Sequence, residues 1–288
     1  MNKLFFCWYV CLFLFALILL GLTIFNADSS SFMQEQNWYV QFIVLMFLAF
    51  LSEYIDSSLG MGYGTTLTPL LVILGFPLLL IVPSILMSEF VTGLFAGIMH
   101  QKVGNVSFTK GGVARKIVLV LSVCSIIGAI ISSFIFINIP MDIVKIYVAV
   151  MILAMGIFTI FRNKINTKFS WKKIVGLGTL AAFNKGISGG GYGPLLMGGQ
   201  IISGISGKNA SGITSLSEGI TCLFSLIIYF IFGGAFSWWI AIPLTLGASM
   251  SVPVASLTVK YMDEKKFTQY VGYAMMFLAI LMFLKLVL

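Results

Sequence analysis

Gly60-Met61-Gly62-Tyr63-Gly64-Thr65-Thr66-Leu67-Thr68-Pro69 and, 129 residues further on, Gly189-Gly190-Gly191-Tyr192-Gly193-Pro194 are the stretches whose reading decides the fold. Each interrupts a long apolar run, and each places a cluster of small or flexible residues ahead of a proline. Small residues by themselves can reflect close helix packing in a bilayer. Clusters this dense point instead to a break in the chain within the membrane. A break exposes peptide N–H and C=O groups that cost several kcal/mol each in hydrocarbon, so it persists only where it is buried in protein or lines a polar cavity. Glycine supplies the positive φ and the close backbone approach that such a break needs. Short helices starting after Gly64 and Gly193 would aim free N–H groups and a positive dipole end at the bilayer centre, which suits an anion.

The 129-residue register extends well beyond the glycines. Gly60, Gly62, Tyr63 and Gly64 fall on Gly189, Gly191, Tyr192 and Gly193, and Leu67, Ile73 and Gly75 fall on Leu196, Ile202 and Gly204. Without a gap, Ser88, Glu89 and Thr92 then fall on Ser217, Glu218 and Thr221, and Gly104 falls on Gly233. Apolar matches are cheap in such a chain. A glutamate matched to a glutamate is not, because the whole sequence holds only 9 acidic residues. The pattern is that of an internal duplication.

Composition sets the solvent. The 288 residues are 59% hydrophobic and 9% charged, with the apolar residues in runs long enough to span a bilayer. The formal net charge of +8 is confined to connections. Lys102, Lys110, Arg115 and Lys116 crowd one, Arg162, Lys164, Lys168, Lys172 and Lys173 a second, and Lys260, Lys265 and Lys266 a third. Basic residues in short loops mark the cytoplasmic side, which reads the charge as topology and lipid contact and leaves no role in binding nucleic acid. The expectation is an all-α, polytopic transmembrane bundle in the cell membrane with a cytoplasmic N-terminus. It comprises an N-terminal helix (Leu4 to Phe25) and extracytoplasmic loop over 1–37, a first repeat over 38–161, a basic cytoplasmic linker over 162–173 and a second repeat over 174–288. Loop charge makes the second repeat run through the membrane upside down relative to the first. Within each repeat, discontinuous or re-entrant helices are expected at the glycine breaks, with further cuts at Pro69, Gly75, Pro77 and Pro83 and near Gly204 to Gly212.

Ionisable residues inside a membrane segment are functional candidates. Glu89 with Thr92, and Glu218 with Thr221, share helix faces at i, i+3 spacing; each glutamate reads either as a proton carrier or as a hydrogen-bonded tie between broken helices. Glu53 and Asp56 precede the first break, and Asn184 and Lys185 precede the second. The register sets Asp56 against Lys185, so the two either pair across the pseudo-twofold or leave Lys185 free to attract an anion. Thr65 and Thr66 add hydroxyls. His100 borders a basic loop and reads as interfacial. Cys7, Cys11, Cys124 and Cys222 lie scattered in apolar runs and read as small packing residues.

The run from Glu53 to Leu71, together with Asn184-Lys-Gly-Ile-Ser-Gly-Gly-Gly-Tyr-Gly-Pro194, resembles the sulfite exporter TauE/SafE family. That resemblance implies a permease for sulfur-containing anions such as sulfite, sulfoacetate or other organosulfonates, coupled to an ion gradient, with its core at Gly60 to Pro69 and Gly189 to Pro194. Tyr63 and Tyr192 stand where many members carry another glycine. The resulting expectation is a transporter with a small anionic substrate, a proton or sodium ion as coupling ion, no cofactor and no enzymatic function. Anion contacts are expected from the glycine breaks, their tyrosines, Thr65, Thr66, Asn184 and Lys185, and ion coupling from Glu89, Glu218, Thr92, Thr221, Glu53 and Asp56. The rival reading is a cation or metal-ion transporter using the same acidic pair. An integral-membrane enzyme finds no support in a chain with one histidine and no HExxH or nucleophile-elbow motif.

Overall fold

The computed structural model describes residues 38–60, 62–161, 170–202 and 205–261, together with residues 276, 277, 280 and 284. The expected helix over Leu4 to Phe25, most of the basic linker, and most of the expected final span from Phe267 lie outside the described residues. The described chain folds as α1 (Trp38–Leu59), α2 (Tyr63–Ile73), α3 (Leu78–Val103), α4 (Val113–Asn138), α5 (Met141–Phe161), α6 (Trp171–Ser188), α7 (Tyr192–Ile202), α8 (Gly207–Ile231) and α9 (Trp238–Tyr261), with no strand among the described residues. Five of these helices, α1, α3, α4, α8 and α9, are long and apolar enough to cross a bilayer. The protein is an all-helical integral membrane protein.

The helix boundaries follow the register read from the sequence. α1 and α6 end at Leu59 and Ser188, and the short helices run from Tyr63 to Ile73 and from Tyr192 to Ile202, each pair 129 residues apart. At both ends the glycines do what no other residue does readily. Gly60 and Gly62 have φ of 58° and 80°, and their counterparts Gly189 and Gly191 have 71° and 79°, a left-handed region that side chains disfavour. Pro69 and Pro83, by contrast, lie inside α2 and α3. The cut in that region falls at Gly75 to Pro77, where Gly75 turns with φ 89° and Pro77 caps α3. In the second half Gly212 also lies inside its helix, α8, which starts at Gly207 behind the cap residue Ser206.

Cross-helix contacts fix the directions. Trp38 stacks near Trp239 and the Tyr54 hydroxyl donates to Thr258 Oγ1, so α1 and α9 are parallel. Ser84 donates to the Ser237 carbonyl and Asn105, just past α3, to the Ser256 carbonyl, which makes α3 parallel to both. In the other set Gly128 meets Ala182 and Gly186 meets Ser132, while Ser125 bonds Thr221 and Phe134 packs on Phe232, so α4, α6 and α8 are mutually parallel. The sets join where α3 and α8 cross antiparallel, with Gly93 against Gly219 and Gly97 against Leu216. The bundle is thus two groups of three parallel helices running in opposite directions. Their outer faces carry Val123, Ile131, Phe134, Ile231, Met250 and Leu257 exposed, as lipid contact demands.

One further consequence is electrostatic. The C-terminal ends of α3 and α9 and the N-terminal ends of α4, α6 and α8 lie at the same end of the bundle, so Lys102, Lys110, Arg115, Lys116, Lys172, Lys173, Lys208 and Lys260 gather there. At the opposite end, Lys145 bonds Asp142 at 2.8 Å, and Trp38, Trp238 and Trp239 form an aromatic cluster edge. Aromatic residues at such a position are typical of a membrane interface.

A substitution at Gly64 tests the backbone contact between the breaks. A Cβ there would stand 1.5 Å from the Gly189 carbonyl oxygen, whereas one at Gly176 would meet nothing within 4 Å. Gly64→Ala is expected to lower stability by about 1–3 kcal/mol through forced displacement of rigid backbone, and Gly176→Ala to leave it unchanged or slightly raised. Thermal melting of the detergent-solubilised proteins checks this; equal melting of the two variants would refute the contact.

Candidate functional site

The two breaks lie against one another. Beyond the contact at Gly64, a Cβ on Gly193 would meet the Gly60 carbonyl oxygen at 2.5 Å and the Gly62 nitrogen at 2.6 Å. Peptide groups exposed by the breaks are taken up inside the protein. Asp56 accepts the Gly62 N–H at 2.8 Å, Thr65 Oγ1 accepts the Gly191 N–H at 2.8 Å, and Ser188 Oγ accepts the Gly190 N–H at 3.1 Å. These three N–H groups, which precede the first turns of α2 and α7, are therefore not free for a ligand. In a medium without water, an unsatisfied N–H recruits the nearest acceptor, and the adjoining helices carry them. Thr66 is likewise committed, donating to the Tyr63 carbonyl at 3.0 Å, and Thr68 ties the breaks together by donating to the Ser188 carbonyl at 2.9 Å.

Beside this junction lies a narrow cavity lined by Glu53, Asp56, Glu89, Thr92, Gly93, Ser215 and Glu218. All four carboxyls are buried, and with Asp142 they are the acidic residues of the described chain. Lys185, from the last turn of α6, is the buried ammonium among them. Its Nζ is paired with Glu89 Oε2 and, at 2.7 Å, with Glu218 Oε1. Of the two arrangements open to Lys185 on sequence, pairing with Asp56 or freedom, neither is adopted as stated: both glutamates hold it. One oxygen of each glutamate, Glu89 Oε1 and Glu218 Oε2, accepts no hydrogen bond from the protein. Oxygens of Asp56, Glu89 and Glu218 also lie within 4.8 Å of one another. Glu53 stands at the edge of the group, accepting from Ser57 Oγ at 2.5 Å and from Thr92 Oγ1 at 3.3 Å.

The remaining candidates divide. Tyr63, fully buried, reaches Ser88 Oγ at 3.2 Å, and Tyr192 is buried at the matching position. Asn184 accepts a hydrogen bond from the Tyr147 hydroxyl of α5. Thr221 bonds Ser125 on α4 and the Ser217 carbonyl, and so ties α8 to α4. Two residues were read too blandly from the sequence. His100, in the last turn of α3 near the basic end, is fully buried within the protein. Cys222 lies with its Sγ 3.7 Å from Glu89 Oε2, inside the charged group. Its signal was present in the register, because residue 222 falls opposite Gly93, another wall of the cavity.

A helical membrane protein that buries an ion triad at the crossing of two oppositely directed helix groups has the organisation of a transporter. The sequence model of the family described as "Sulfite exporter TauE/SafE" matches residues 45–282. The chain belongs to that family and is a membrane transporter. It is 28% identical over 232 residues, covering 76% of this chain and 74% of the relative, to the protein named "Probable membrane transporter protein YtnM" of Bacillus subtilis (strain 168). No solved structure matches the chain.

Removing the ammonium should expose how the triad is held. Lys185→Met leaves Glu89 and Glu218 facing each other without a cation, and breaking a buried ionic group from one side costs about 3–5 kcal/mol. Adding Glu89→Gln and Glu218→Gln to the same chain is expected to recover most of that loss. Thermal melting reads both; a single variant as stable as the parent would mean that the triad is not ionic.

Proposed function

We propose that the protein moves small sulfur-containing anions, of the sulfite and organosulfonate class, across the cell membrane by alternating access. Proton coupling runs through Glu89 and Glu218. The observation that carries this reading is the seating of Lys185 between those two glutamates, beside the junction of the glycine breaks. While both carboxylates are ionised, the ammonium is neutralised and an anion gains nothing by approaching. Protonation of the pair frees the positive charge, and an anion then replaces the carboxylates as its partner. Proton binding and anion binding therefore favour each other, and linkage makes the coupling reciprocal. A proton suits this role better than sodium, because Lys185 already fills the space between the two carboxylates as their cation.

The scaffold reading that supports alternating access is an inverted duplication, with residues 38–161 and 174–288 as its copies. The 129-residue register carries α1 and α3 of one helix group onto α6 and α8 of the group running the other way. Halves related in this manner can exchange shapes about a central site, which exposes it to one face and then the other. With the basic end of the bundle in the cytoplasm, α1 starts on the outer side, and the span expected over 4–25 would return the N-terminus to the cytoplasm.

A second reading, transport of a cation, is favoured by the three carboxyl oxygens within 4.8 Å of one another. The ammonium lying among them argues against it. Flux into proteoliposomes loaded with the purified protein separates the two, using sulfite, sulfoacetate, taurine and thiosulfate against monovalent and divalent cations. Under an imposed pH gradient, uptake of a sulfur anion is expected to rise as the donor side is acidified. Glu89→Gln with Glu218→Gln should reduce that gradient-driven uptake by about tenfold or more while anion exchange persists. Undiminished pH-driven uptake in the double variant rules out coupling through this pair.

A further inference from the structure

Two buried polar residues outside the charged group occupy equivalent places at its two ends. His100 follows Glu89 by 11 residues on α3, and Tyr229 follows Glu218 by 11 residues on α8, so the two are themselves 129 residues apart. Eleven residues of helix rise about 16 Å. Because α3 and α8 are antiparallel, His100 lies between the carboxyl group and the basic end of the bundle, and Tyr229 lies between it and the opposite end. Each sits in the last turn of its helix, which closes in the same way. Gly104 and Gly233 have φ of 84° and 74°, and the following residues return their N–H groups to the His100 carbonyl at 2.9 Å and to the Tyr229 carbonyl at 3.1 Å. This six-residue return is a Schellman closure.

Their partners come from other helices. His100 Nε2 bonds the Ser57 carbonyl of α1 at 2.9 Å, and Ser211 of α8 donates to that same carbonyl at 2.9 Å. Asn105 Nδ2 donates to the Ser256 carbonyl of α9 at 2.8 Å and contacts His100 Nδ1 at 3.0 Å. The Ser256 carbonyl requires an N–H from that amide, so Nδ1 is the acceptor and Nε2–H the donor. One imidazole thus joins α3 to α1, and through Asn105 to α9. At the other end the Tyr229 hydroxyl donates to the Leu79 carbonyl, at the start of α3, at 3.0 Å, and its ring packs on Phe136 of α4 at 5.8 Å. Gly234 leaves room for that ring: a Cβ there would stand 2.1 Å from it.

Resting on the alternating-access reading, we propose that His100 and Tyr229 are the two gates of the transport path, His100 closing it at the basic end and Tyr229 at the other. In this structure both are shut. Opening toward one face requires one of these bonded contacts to part while the other holds. Duplication accounts for their equivalent positions, and the divergence to histidine and tyrosine makes the gates chemically distinct.

Cys222, 3.7 Å from Glu89, is a native reporter of access to the centre. The experiment uses the full chain with Cys7, Cys11 and Cys124 changed to serine. It measures the rate at which a charged, membrane-impermeant methanethiosulfonate modifies Cys222 in sealed vesicles of known sidedness, with Cys222→Ser as the blank. His100→Ala and Asn105→Ala are expected to speed labelling from the basic-loop side alone, by roughly two- to tenfold for a lost hydrogen bond. Tyr229→Phe is expected to speed it from the opposite side alone. His100→Gln, which keeps a donor toward Ser57, should fall back toward the parent rate. Equal acceleration from both sides, acceleration from the wrong side, or rates unchanged in all three gate variants would overturn the proposal. The readout needs no substrate, so a failed anion-flux assay and a failed gate assay remain separate results.

Discussion

Two helices can begin within a buried protein core only if their exposed peptide groups are used by something other than water. Here they are used by each other's surroundings. The Gly64 backbone lies against the Gly189 carbonyl, the Gly193 backbone against Gly60 and Gly62, and Thr65 of one break accepts the Gly191 N–H of the other. A side chain on Gly64 or Gly193 would hold the breaks apart, and the peptide groups between them would lose their close packing. The rest of the bundle depends on this junction. It brings the end of α1 and the end of α6 to one place, and with them Glu53, Asp56 and Lys185.

Repetition supplies geometry and divergence supplies chemistry. The register pairs Glu89 with Glu218, so two carboxylates on antiparallel helices face one centre. It pairs Asp56 with Lys185, so that centre receives a cation from one side alone. A strictly symmetric protein would carry either two lysines or none, and neither would balance two glutamates with a single ammonium. Gly93 opposite Cys222 continues the same logic: the glycine lets α3 and α8 approach closely beside the cavity, and the thiol lies against Glu89.

The candidate site was partly legible before any coordinates. Glu89, Glu218, Glu53, Asp56 and Lys185 stand out because ionisable residues are rare in apolar helices, and the structure gathers all of them. Which of them pair was not legible. Asp56 and Lys185 are equivalent in sequence register, yet Asp56 turns to the Gly62 N–H, because a broken backbone in hydrocarbon competes for the nearest carboxylate. His100 misled for a related reason. Its nearness to Lys102 and Lys110 in sequence suggested the membrane surface, but the chain turns back at Gly104 and brings Asn105 and Ser256 over it.

By itself the sequence determined the solvent, the helical class and the places where the helices break. These follow from apolar run length and glycine φ freedom, which are properties of the chain read locally or against itself. Only the tertiary structure decided who touches whom: that Lys185 lies between two glutamates from different helices, that the Gly62, Gly190 and Gly191 N–H groups find side-chain acceptors, and that His100 and Tyr229 bond neighbouring helices toward opposite ends of the bundle. Pairing in a buried site is a competition among all groups brought within a few ångströms. That list exists only once the helices have packed.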